Sequence, residues 1–374
     1  MTPAVDVRPS LPAARGSLSE FLVDHLARPP HALPPHPALD DDPLGGDDFH
    51  LGLYLLYELH YRSFAEVDEA WEWHPGLLEV RRALEARFEA GLRSLVPARS
   101  LFGGVEADLW RIVAAGDGPS LSTYLLERGT RAQLEEFAIH RSAYQLKEAD
   151  PHTWAIPRLA GASKAAMVEI QADEYGGGVE GDMHATLFAD TMAALGLDSR
   201  YGAYLDRLPG TTLATVNLVS LFGLHRRWRG ALVGHLAVFE MTSVEPMDRY
   251  SRTLTRLGLG AEARRFYEVH VEVDVRHSTV AARGMAGGLV AREPALAADV
   301  AFGGEALMAI EGRFTAHLLD SWARGRSSLL APATTGNGAP PGAKTTAPMG
   351  QGPHLGEEGG DGAPPGAKTR CPSR

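Results

Sequence analysis

The chain has 374 residues, 44% of them hydrophobic, so its length allows one to three domains and its middle can bury a sizeable core. A net charge of −11 and a pI near 5.8 argue against a nucleic-acid binder. The single cysteine, Cys371, excludes a disulfide framework, a cysteine zinc site and a cysteine-ligated iron–sulfur cluster, and fits a reducing cytoplasm.

Residues 1–46 are rich in proline and alanine, show no periodic pattern, and read as a flexible arm. The first residues lack a basic flank followed by an apolar run, so no signal peptide is expected. Order is expected from Asp47. Leu51, Leu53, Leu55, Leu56 and Leu59 make a helix apolar nearly all round, hence buried. Pro75 precedes an amphipathic helix over Leu77–Leu95. Helices are predicted over Ser120–Arg128, over Ala132–Ala149 closed by Asp150-Pro151, and over Lys164–Tyr175 stopped by Gly176-Gly177-Gly178.

Further helices are predicted over Met183–Leu195, Tyr201–Leu208, Thr212–Phe222, Arg229–Thr242, Asp248–Leu257, 261–285 and Gly304–Ala323. The longest apolar run, Thr211–Leu224, contains Asn217 and is too short to span a bilayer. No run of strands and no βα alternation appears, so the fold class is all-α, a single bundle over 47–328. From 329 the composition collapses to Gly, Ala, Pro, Thr and Lys, and Gly-Ala-Pro-Pro-Gly-Ala-Lys-Thr occurs at 338 and again at 362. This reads as a disordered tail.

The segment Phe266–His277 carries His270, Asp274 and His277 at offsets of zero, four and seven. On a helix these fall in one narrow stripe, and two imidazoles with a carboxylate can bind a transition metal. Val269, Val271, Val273 and Val275 alternate as in a strand, but helix-forming flanks without turn residues favour a helix of roughly 25 residues. A buried polar cluster is the competing reading of the stripe. Glu240 sits beside the apolar Val233, Leu236, Ala237 and Met241, where an acid needs a partner. Five residues earlier, His235 faces another direction and reads as structural. Glu174 and His184 flank the triple glycine, which can fold so that both reach one point. Glu148 is favoured over His152, from which Pro151 separates it. No Walker loop, dinucleotide fingerprint or Gly-x-Ser-x-Gly is present.

Together these residues resemble the haem-oxygenase-like diiron oxidases and oxygenases over roughly 130–325. His270-x-x-x-Asp274-x-x-His277 matches the family's last core helix, Glu240 the glutamate of the helix before it, Glu148 that of the first core helix, and His184 the intervening histidine. Glu174, ten residues before His184, stands where the nitrogen-oxygenating branch has an extra carboxylate. The resemblance implies a haem-oxygenase-like bundle, here between the flexible arm and the disordered tail, and a pair of Fe2+ ions, with Mn able to replace one. It implies O2 as co-substrate, a small organic substrate and an external reductant. All seven side chains are then metal ligands, with no general base identifiable; with Glu174 as a ligand the expected reaction is N-oxygenation of an amine or guanidine group, and without it desaturation or oxidative C–C cleavage. No nucleic-acid or membrane partner is expected, and a homodimer stays open. Two alternatives stand beside this: a haem-binding protein on the same fold, and a non-enzymatic helical interaction module.

Overall fold

A computed structural model describes residues 8–96, 103–116 and 118–331; of the tail expected from 329, all but its first three residues lies outside them. The described residues are helical and contain no strand. The Pro/Ala-rich start carries an element that sequence periodicity did not suggest. Helix α1 spans Ser17–Leu26, and Leu18, Leu22 and Leu26 are buried at a spacing of four residues. Two helices complete this end: α2, Asp47–Glu58, buried on all sides as expected, and α3, Pro75–Leu95, with proline in its first turn. The Asp48 carboxylate accepts from the backbone N–H groups of Leu18 and Ser19 at 3.0 and 2.8 Å, tying α1 to α2. Residues 8–46 are thus part of the packed body up to α2, which corrects the expectation of a featureless arm.

Helix α4, Val105–Ala114, was not foreseen; α5, Leu121–Arg128, was. Helix α6, Arg131–Gln145, starts on a capping box between Thr130 and Gln133. It stops short of the predicted Ala149. Lys147 and Glu148 lie in a turn, and Ala149 has φ 72°, a left-handed conformation costly for a residue with a Cβ. Pro151 opens the short helix α7, Asp150–Thr153, instead of merely ending α6. Helix α8, Gly161–Glu174, ends at Gly176, Gly177 and Gly178, all at positive φ, and α9 resumes at His184–Ala194.

Helix α10, Gly210–Leu224, is buried nearly all round. The next helix, α11, runs unbroken over Arg229–Arg256. The sequence expectation divided it near Pro246, yet α11 passes through that proline. Helix α12, Ala261–Thr279, continues into a π-helical stretch over Val280–Gly287, a widening often found at functional sites. After α13, Gly288–Arg292, the chain closes with α14, Ala297–Ala323, which begins earlier than Gly304.

The bundle is organised on α11, which packs against α12 on one side and α14 on the other. Glycine sets the second contact. A Cβ on Gly234 would collide with the Val300 carbonyl, and one on Gly303 with the Ala231 carbonyl. Each helix therefore presents its glycine to the other's backbone.

The candidate metal centre

Helix α12 does what its spacing demands: His270, Asp274 and His277 are all buried on its inner face. Helix α11 turns Glu240 toward the same interior, 3% exposed, and α8 ends with Glu174 pointing inward. The glycine turn brings the chain back so that His184, first residue of α9, reaches Glu174. Glu148 comes from the strained turn after α6. The Ala149 carbonyl beside it accepts from the Gln171 side-chain amide of α8 at 2.9 Å, which ties that turn to the helix bearing Glu174.

The seven side chains form two groups. Glu148, Glu174, His184 and His270 make one; Glu174, Glu240, Asp274 and His277 make the other. Within each, one atom per residue lies within 4.8 Å of all the others, every residue is buried, and Glu174 belongs to both. A cavity of about 10 Å³ lies between them, closed by Tyr144, Leu236 and Phe239.

Atoms in these groups approach without pairing. The Glu174 Oε2 and His184 Nδ1 are 2.8 Å apart, yet neither has a hydrogen bond of acceptable geometry. His277 Nδ1 lies 3.4 Å from Asp274 and 3.5 Å from Glu240, equally unbonded. Glu148 Oε2 and Asp274 Oδ1 are also orphaned. Buried polar atoms are nearly always satisfied, so this concentration of unpaired lone pairs on one small volume is what a cation would relieve. The donor set of imidazole nitrogen and carboxylate oxygen suits iron.

The imidazoles are held in the matching tautomer. His270 Nδ1 lies 2.7 Å from the Phe266 carbonyl, so this nitrogen donates and Nε2 faces Glu148 at 3.8 Å. His277 Nε2 lies 2.8 Å from the Asp173 carboxylate, leaving Nδ1 for the interior. Arg276 clamps Asp173 at 2.5 Å and Glu169 at 2.9 Å. In the sequence Asp173 is no more than the residue beside Glu174. Its role is visible only once α8 lies beside α12.

Without a cation the centre is electrostatically tense. Burial pushes the Glu240 carboxyl up to about 8, with Asp274 and Glu174 adding to it. Burial likewise raises Glu148. Against burial, Glu148 lifts His270 to about 10, and Asp274, Glu240 and Asp173 lift His277 to about 11. His184 draws Glu174 down despite its burial, and His277 does the same for Asp274. His152 and His235, set aside as ligands, bond each other at 3.1 Å, and burial lowers both.

The fold and this centre define an all-α protein with a buried carboxylate–histidine site. Residues 135–312, which contain all seven side chains, match the family model of iron-containing redox enzymes. The nitrosourea synthase of Streptomyces achromogenes subsp. streptozoticus is 26% identical over 155 residues, 41% of this chain and 32% of that relative. The match thus spans less than one third of the relative's length. Among the described residues no helix is long and apolar enough to cross a membrane.

Proposed function

We propose that the chain is an O2-activating non-haem diiron oxidoreductase acting on a small organic substrate. Glu148, Glu174, His184 and His270 would hold one ion, and Glu240, Asp274 and His277 the other, with Glu174 common to both. The observation that carries this reading is the pair of buried groups meeting at Glu174. Four carboxylates balance two divalent ions, and Mn can stand in for one iron on the same donors. A ferrous pair held by these residues would supply the electrons for reducing O2 and so the oxidant for the substrate. Around them the chain's own residues fix orientation: Phe266 and Asp173 set the imidazoles, and Tyr144, Leu236 and Phe239 exclude water.

Oxidation of an amine or guanidine nitrogen is the favoured reaction, with an external reductant restoring the ferrous state. The extra carboxylate Glu174 supports this, as does a relative whose name specifies a nitrosourea product. A cytoplasmic location accords with the single cysteine. Haem on the same fold is disfavoured, because four buried carboxylates replace the apolar pocket it needs.

Anaerobic loading with ferrous iron tests the proposal. Two irons per chain and no Soret band are expected, with O2-dependent oxidation of the iron. Retention of no stoichiometric iron would return the protein to the class of helical interaction modules.

A further inference from the structure

Helix α7 is four residues long, yet it is tied to the elements that carry three of the centre's four carboxylates. Glu148 sits in the turn directly before it, with only Ala149 between. His152 bonds His235 of α11, the helix that carries Glu240, at 3.1 Å. The Pro151 carbonyl fills the place where a Cβ on Gly223 would stand, so the backbone of α7 is seated against α10.

The link to α8 is a network of hydroxyls and one amide. Gln171 Nε2 donates to the Thr153 hydroxyl at 2.6 Å as well as to the Ala149 carbonyl. The Tyr175 hydroxyl donates to the Asp150 carboxylate at 2.9 Å and lies 2.9 Å from the Thr153 hydroxyl. Thr153 thus joins Gln171 to Tyr175, which stand on either side of Glu174 at the end of α8. Both sequence neighbours of Glu174 are anchored, on opposite flanks. The Asp173 carboxylate accepts from His277 and Arg276 of α12, and Tyr175 is held by α7. Beyond Tyr175 come three glycines, which bring no side chain to hold this end of the helix. On the Glu148 side, Ala149 keeps its left-handed backbone, a conformation that persists only where its surroundings impose it.

We propose that Gln171, Thr153 and Tyr175 are positioning residues that fix Glu148 and Glu174 relative to each other through α7. Because Glu174 is common to both groups, this network sets the affinity of the centre for both ions. The inference rests on reading the centre as a metal site. None of the three residues is itself a ligand, so their effect is exerted through Glu148 and Glu174 alone.

Titration of the full chain with Mn(II), followed by electron paramagnetic resonance, tests this. Tyr175→Phe removes only a hydroxyl, and Thr153→Val keeps the shape of Thr153 without one. Each should weaken both Mn(II) binding steps by roughly three- to tenfold, the worth of one hydrogen bond. Thr153→Ser, which keeps the hydroxyl, should bind as the wild type does. In the metal-free chain, amide exchange over 146–149 and 171–176 should be faster in Tyr175→Phe and Thr153→Val than in Thr153→Ser. Leu22→Ala opens a cavity in α1, which packs on α2, and should lower the Tm while leaving both steps unmoved. Unchanged binding in both Tyr175→Phe and Thr153→Val would overturn the proposal. So would a shift confined to one step, weakened binding by Thr153→Ser, or an equal loss in Leu22→Ala. Failure of the metal reading shows separately, as no uptake of Mn(II) by the wild type.

Discussion

Replacing Asp173 tests whether the convergent side chains are organised as metal ligands or merely buried together. Its carboxylate accepts from His277 Nε2 at 2.8 Å and touches no other member of the centre. Asp173→Ala leaves all seven side chains in place and removes only what orients one imidazole. A hydrogen bond to a charged group is worth roughly 1.5–3 kcal/mol. The Asp173 side chain is 34% exposed, so water replaces part of it. About 1.5–2 kcal/mol remains, which corresponds to a loss of roughly 10- to 30-fold in affinity for the ion held by His277. Titration of Mn(II) followed by electron paramagnetic resonance should show the weaker of two binding steps move by this amount, while the step at Glu148, His184 and His270 moves less. Arg276→Ala, which removes the clamp on Asp173 but not Asp173 itself, should shift the same step by less. An unchanged titration for Asp173→Ala would refute a ligand role for His277.

At pH 7 the metal-free protein carries protons on His270 and His277 and largely on Glu240, so loading should release about three protons, measurable by calorimetry in buffers of different ionisation enthalpy. The same three groups bind protons more tightly folded than unfolded. The histidines' contribution is complete below about pH 6.5 and is lost as pH rises through about 10 and about 11, while Glu240 costs stability between its ordinary value and about 8. The Tm of the metal-free chain should therefore fall from pH 6 to pH 10, and the metal-loaded chain should be less sensitive; a flat metal-free profile would contradict the protonation states. Lys147 and Glu58 form a fully buried pair at 2.9 Å, so Lys147→Met should cost about 3–5 kcal/mol in urea unfolding, partly recovered by adding Glu58→Leu. Hydrogen exchange over residues 174–184 should slow on metal loading, because Glu174 and His184 are joined by a turn whose three glycines contribute no side-chain packing.

The α12 stripe was readable because one helical period places all three of its members, and an acid beside Val233 and Leu236 announced that Glu240 was buried. The family resemblance linked these to Glu148, Glu174 and His184, and the fold brings them together. What could not be read depends on other elements. Asp173 neighbours Glu174 in sequence, yet its partner His277 is more than a hundred positions away. Helix α1 is hidden by prolines on either side, although Leu18, Leu22 and Leu26 carry the period. Pro246 signals a break, but α11 continues because it is held along its length by α12 and α14.

The reciprocal glycine contact between α11 and α14 has a bearing on where Glu240 stands. At Gly234 and Gly303 the two backbones approach so closely that no side chain fits between them. A Cβ at either glycine would drive the two helices apart. Gly234→Ala or Gly303→Ala should therefore shift α11, and with it Glu240, which α11 carries toward the other candidate ligands.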